Sequence, residues 1–140
     1  MIVGTSMDAA LFVTAKEAME KAYAPYSNFA VGAAVRGADG GLYGGCNVEN
    51  AAYPQGCCAE ASAISAMVMD GETSIVEVCV IGGGDALVTP CGGCRQRIRE
   101  FAADDIPIHV CGPEGLRQTL TLGELLPLSF GPENLSGEES

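Results

Sequence analysis

The sequence predicts an α/β protein: a three-layer α/β/α domain built on a mixed five-stranded sheet. Three observations carry that prediction. An Asp39-Gly40 pair between two apolar runs points to an antiparallel hairpin, because both residue types tolerate the positive φ of a tight turn. From residue 58 onward helical and extended patterns alternate, which implies right-handed crossovers and a locally parallel sheet. The run Ile-Val-Glu-Val-Cys-Val-Ile at 75–81 is β-branched and almost wholly apolar, as a central strand covered on both faces requires.

The elements follow in order. Ser6 is a good helix N-cap residue, and residues 7–23 carry Leu11, Ala15, Ala18, Met19 and Ala22 at helical spacing, with Lys16, Glu17 and Glu20 outside. Pro25 stops that helix, and Ser27-Asn28 turns the chain into 30–35, a small, apolar run suited to a buried strand. The second hairpin strand occupies 42–48 and a loop with Pro54 inside it occupies 49–56. A helix over 58–69 turns Ala59, Ala63, Ala66 and Met67 inward and ends at Asp70-Gly71. Gly82-Gly83-Gly84 breaks the 75–81 strand and lacks the G-x-x-x-x-G-K pattern of a phosphate-binding loop. Pro90, whose missing N–H costs nothing in a first turn, opens a helix over 90–102. Strands at 106–110 and 118–120 complete the sheet, and Thr121-Leu-Gly-Glu124 has the form of a capping box. The expected organisation is one domain over 1–132 with a polar tail at 133–140.

A chain of 140 residues supports one core and is too short for two. Its 7 Lys and Arg against 18 Asp and Glu give a formal charge of −11, and no basic stripe offsets it. Such a field repels phosphate backbones, so a nucleic-acid partner is not expected. There is no basic start followed by an apolar run, and no run approaches the roughly 20 apolar residues a bilayer demands. No membrane partner is expected either, and the expected location is cytoplasmic. In a reducing compartment an odd count of 7 cysteines argues for metal binding over disulfides. Cys46, Cys57, Cys79 and Cys111 lie in apolar or Gly-rich surroundings and are expected to pack as small hydrophobes. His109, the one histidine, is expected half-buried in a strand, which leaves no Ser-His-Asp triad.

The chemistry concentrates in Cys58-Ala59-Glu60 and Pro90-Cys91-Gly92-Gly93-Cys94. Thiolates favour zinc over hard cations, and three of them leave one tetrahedral position open to water where four would close the site. Both Cys58 and the Cys91/Cys94 pair fall at predicted helix N-termini, where free amides and the helix dipole favour thiolate. Glu60, two residues past a ligand, is placed to carry a proton rather than to bind metal. A lone C-x-x-C is commonly structural zinc, whereas an added C-x-E is difficult to explain as packing. Cys57 shares a helical face with Glu60, so spacing alone leaves it open as the third ligand.

Asn47-Val-Glu49-Asn-Ala51-Ala-Tyr53, Cys58-Ala-Glu60 and Pro90-Cys91-Gly-Gly-Cys94-Arg95-Gln96 together resemble the small, homotetrameric cytidine deaminases, and the likeness runs from Ala24-Pro25-Tyr26-Ser27 to Leu125-Leu126-Pro127 and Phe130. The resemblance implies hydrolytic deamination of cytidine or deoxycytidine in pyrimidine salvage. It implies one Zn²⁺ per subunit on Cys58, Cys91 and Cys94, with Glu60 protonating the base. Glu as a non-ligand proton carrier is an established feature of zinc deaminases. It further implies that Asn47 and Glu49 bind ribose hydroxyls, that the Ala59 amide holds the ring carbonyl, and that Phe29 stacks near the base. Ala51, Tyr53 and Phe130 would complete a neighbouring subunit's pocket in a homotetramer. Relatives place an Arg directly after the Glu, where it hydrogen-bonds the thiolates, but here that position is Ala61. The expected compensation is the two helix N-termini helped by Arg95. Blasticidin S deaminases also lack that Arg and form the alternative reading; a non-catalytic zinc module is disfavoured because it has no use for Glu60.

Overall fold

Sequence forces set the strands first. The computed structural model describes residues 7–136, and within them the expected five strands form a single mixed sheet in the order β2-β1-β3-β4-β5. These are β1 (Val31–Gly37), β2 (Leu42–Cys46), β3 (Ile75–Gly82), β4 (Pro107–Gly112) and β5 (Gly115–Thr121). The apolar 75–81 run is indeed the middle strand. β1 and β2 are antiparallel across the Asp39-Gly40 turn, where Gly40 has φ +88° and the Asp39 carboxylate accepts from the Gly41 amide at 2.8 Å. β3 runs antiparallel to β1 and parallel to β4, and β5 returns antiparallel to β4.

Alternation along each strand sorts side chains between two helical layers. Ala33, Val35, Val78, Val80 and Ile108 face helices α2 (Ala59–Met69) and α3 (Gly92–Arg99) and meet Ala63, Met67 and Ile98. Ala34, Cys79, Ile81 and Cys111 face helix α1 (Ala9–Met19) and meet Leu11 and Ala15. Close approach is possible because two strand positions are glycine. A Cβ on Gly32 would lie 2.1 Å from the Ala15 carbonyl of α1, and one on Gly45 would lie 2.3 Å from the Ala63 amide of α2. The α1 face also carries a polar ladder across four strands: Arg36 pairs with Glu77, Glu77 with His109 at 2.7 Å, and His109 with Thr119 at 2.8 Å. Asp8 joins it by an ion pair to Arg36.

Several boundaries differ from the sequence expectation. Ser6 lies outside the described residues; Asp8 is the N-cap, accepting from the Ala10 amide at 3.1 Å. The helix ends at Met19 rather than 23, because the Tyr23 amide is drawn to the Asn47 carbonyl and Tyr23 bridges Val48. Ala66 is exposed and Ile64 takes the inward position. Pro90 precedes the cap of α3 instead of opening its first turn, and that helix stops at Arg99. His109 is 1% exposed, fully buried rather than half-buried, since the ladder satisfies both ring nitrogens. Cys57 is exposed and does not pack as a hydrophobe. The capping box is present: Thr121 accepts from the Glu124 amide and Glu124 from the Thr121 amide, opening α4 (Leu122–Leu125). A last helix, α5 (Pro132–Ser136), falls where the polar tail was expected to begin, and Glu133 ion-pairs with Arg99.

Candidate metal centre and its cleft

Two helix starts deliver the sulfurs. Cys58 caps α2, Cys91 caps α3, and Cys94 lies in the first turn of α3. Their sulfur atoms all lie within 4.8 Å of one another, near enough for one ion to engage all three. Cys57 is not part of this cluster; its sulfur faces the Ser62 hydroxyl at 3.6 Å. The donor set fits zinc: three thiols, no fourth cysteine, and a carboxylate alongside.

The three thiols differ in their surroundings. Cys91 is held below the ordinary thiol range, chiefly by the Cys94 backbone amide and also by that of Gly93, as expected at a helix start. Burial pushes Cys58 and Cys94 the other way, and for Cys94 the nearby Glu60 and Cys58 add to the effect. The helix-terminus expectation therefore holds for Cys91 and not for Cys58 or Cys94, where lost solvation is the largest effect. Glu60 is 5% exposed, and burial pushes its carboxyl above the usual range against its own backbone amide, the Cys94 thiol and the Arg97 charge.

The centre opens into a cleft of about 340 Å³ at the carboxyl end of β3, where Val31 of β1 pairs with Gly82. Its walls bring together Asn47, Glu49, Tyr53, Ala59, Glu60 and the Cys58 and Cys91 thiols. A second cleft of about 340 Å³ adjoins it through Glu49 and Tyr53 and reaches Tyr26 and Ser27. Asn47 and Glu49 already have partners. Asn47 accepts from the Val31 amide at 2.9 Å and donates to the Phe29 carbonyl at 2.9 Å. Glu49 accepts from the amides of Tyr26 at 2.9 Å and Ser27 at 3.1 Å and from the Ser27 hydroxyl, which hold its carboxyl below the usual range. Phe29, Ala51 and Phe130 do not line either cleft; all three are exposed, and Phe130 is fixed through its carbonyl by Gln96 at 2.9 Å.

Arg95 does not touch a thiol. Its guanidinium donates to the Pro90 carbonyl at 2.7 Å, the Leu125 carbonyl at 2.8 Å and the Thr89 hydroxyl at 3.1 Å. It fixes the chain that leads into Cys91 instead of offsetting thiolate charge. The cation that reaches sulfur is Arg97, with Nη1 3.9 Å from Cys94 Sγ. Sequence reasoning missed it, although residues three apart on a helix are neighbours and Cys94 to Arg97 has that spacing. Ser27, which anchors Glu49, was also missed as a functional residue.

Comparison with known proteins agrees with this geometry. The family described as the cytidine and deoxycytidylate deaminase zinc-binding region matches residues 5–110. A cytidine deaminase of Sporosarcina psychrophila is 42% identical over 126 residues, covering 90% of this chain and 93% of the relative. The fold is similar to the crystal structure of a cytidine deaminase from Burkholderia pseudomallei, with TM-score 0.83, 39% identity, and coverage of 89% of this chain and 99% of that one. A cytidine deaminase structure from Mycobacterium tuberculosis gives TM-score 0.76 at 37% identity, covering 88% and 96%.

Proposed function

Because the chain belongs to the cytidine and deoxycytidylate deaminase family, we propose that it hydrolyses the C4 amino group of cytidine to give uridine and ammonia, with Cys58, Cys91 and Cys94 holding zinc and Glu60 moving the protons. The observation that carries this reading is the convergence of three thiols on one point with a buried carboxylate at the floor of a nucleoside-sized cleft. When bound, zinc supplies a Lewis acid that makes a hydrolytic water acidic at neutral pH. Burial suits Glu60 to its part, since a carboxyl above its usual range both accepts a proton from water and gives it up again. It passes that proton to ring N3 and then carries one to the leaving amine.

The rest of the cleft positions the nucleoside. The Ala59 N–H, in the first turn of α2, is assigned to the ring carbonyl oxygen. Asn47 has one Nδ2–H left after its bond to Phe29, and Glu49 has roughly one of its four acceptor sites left after three bonds. One donor and one acceptor side by side match a ribose hydroxyl, which can take from the first and give to the second. Phe29 is assigned to the base. Deoxycytidine presents the same base and a 3′-hydroxyl and is read as a second substrate.

Ala51, Tyr53 and Phe130 are assigned to a neighbouring subunit's pocket in a homotetramer, a reading supported by their exposure, which reaches 76% for Tyr53 and 56% for Phe130. We place the catalytic unit in residues 1–132 and the enzyme in cytoplasmic pyrimidine salvage. No helix among the described residues is long and apolar enough to cross a membrane.

The test follows cytosine absorbance when purified, zinc-loaded protein meets cytidine. Loss of absorbance in wild type, and a fall of at least about a hundredfold in kcat for Glu60→Ala with zinc retained, supports the assignment. Turnover of blasticidin S without turnover of cytidine would overturn it.

A further inference from the structure

The metal centre gathers negative charge, and the residue after Glu60 is the uncharged Ala61. Three thiolates on zinc leave a net charge of −1, and ionised Glu60 makes it −2, in a setting where Cys94 is 0% and Glu60 5% exposed. Uncompensated charge of that kind is costly away from water. The seven cations of the chain can be taken one by one. Arg36 is held by Asp8 and Glu77, Arg99 by Glu133, Asp104 and Ser129, and Arg117 by Glu114. Arg95 is held by two carbonyls and Thr89. Lys16 is in α1, across the sheet from the centre, and Lys21 shares that side, in a depression with Glu17 and Ala18. That leaves Arg97. Among the described residues it forms no ion pair with a carboxylate, and its polar contact is Cys94 Sγ at 3.9 Å.

Its route to the sulfur depends on a small residue. Arg97 and Ala61 border the same depression, of about 360 Å³, between α2 and α3. A long side chain at position 61 would project into that space from the residue after Glu60. With alanine there, the depression stays open to the Arg97 side chain, one helical turn beyond Cys94.

We propose that Arg97 is the positioning residue that offsets thiolate charge at the metal centre, entering from α3 to do the work that an arginine at position 61 would do from α2. This deepens the proposed function, since it assigns a partner to the same site. By donating to Cys94, Arg97 draws electron density from the sulfur and leaves the metal a stronger Lewis acid. It acts through Cys94 and not on the nucleoside, because it lies behind the thiols and does not border the cleft.

The test uses Arg97→Met, which keeps an apolar stem and removes the charge, and the double variant Arg97→Met with Ala61→Arg. Each is measured as zinc enzyme on cytidine and as cobalt-substituted protein by its sulfur-to-metal absorption band. Expected for Arg97→Met are a fall of about tenfold or more in kcat at unchanged KM and a band moved to longer wavelength, since a sulfur without its donor gives up electrons more readily. The double variant should recover both. An unmoved band, or a loss that Ala61→Arg fails to restore in protein with the wild-type melting temperature, overturns the assignment. The band tests Arg97 whether or not the wild type turns over cytidine, so failure of the substrate reading and failure of this one are told apart.

Discussion

Glu49 illustrates how a single side chain is committed before any ligand arrives. Its carboxylate gathers the 26–27 turn by accepting from the Tyr26 and Ser27 amides and the Ser27 hydroxyl. A glutamine there has one acceptor oxygen where the carboxylate has two. Glu49→Gln should therefore raise KM for cytidine by about tenfold and alter kcat less, a split read from initial rates. The sign of its pH dependence is fixed by the same bonds. The folded carboxyl lies below the ordinary glutamate value of 4.5, first because of the Ser27 hydroxyl, so its tether is complete above that value and is lost as pH falls through the lowered folded one. KM should accordingly stay level on acidification from neutrality to about pH 5. At this scale the clustering of Cys58, Cys91 and Cys94 beside a buried Glu60 was legible, because metal chemistry restricts residue type and spacing severely. Which arginine approaches the thiols was not, because Arg95 and Arg97 sit on one helix and only the rotation of α3 decides which meets sulfur.

Among the elements, α2 matters most, since it carries Cys58, Ala59 and Glu60. Its seat is the bare backbone of β2 at Gly45, where an added Cβ would meet the Ala63 amide at 2.3 Å and the Ala59 carbonyl at 2.6 Å. These are backbone atoms and cannot turn aside. Gly45→Ala should lower stability by about 2 kcal/mol or more, seen as a lower melting temperature, and should reduce zinc content in step as α2 is lifted from the sheet. Helix and strand identities followed from periodicity, and the central position of β3 followed from its apolar run. The ends did not, because long-range partners set them: α1 stops where Tyr23 turns to Asn47 and Val48, a pairing across more than twenty residues that no local pattern encodes.

For the whole molecule the decisive question is whether one chain makes one complete pocket. Tyr53 and Phe130 are large, apolar in part and exposed; Tyr53 stands at the cleft wall, and Phe130 lies outside the cleft of its own chain. If they serve a neighbour, Glu60→Ala protein and Phe130→Ala protein, each nearly inactive alone, should regain cytidine turnover after subunit exchange, since some mixed pockets then combine intact Glu60 with intact Phe130. Activity no greater than the sum of the two would exclude a shared pocket. Fold class and layer order were readable because alternation and hairpin chemistry repeat along the chain; assembly was not, because an exposed aromatic has the same sequence signature whether it meets water or another subunit.

The polar ladder on the α1 face has a practical consequence. His109 is the single histidine of the chain, sealed between Glu77 and Thr119 on the far side of the sheet from the thiols. Its two ring carbon protons should therefore give one isolated pair of magnetic-resonance lines for the native protein, well resolved from the corresponding pair of the unfolded chain. Where interconversion is slow, the areas under the two pairs count folded and unfolded molecules directly. The protein thus carries a built-in folding gauge that needs no label and stands apart from its metal chemistry.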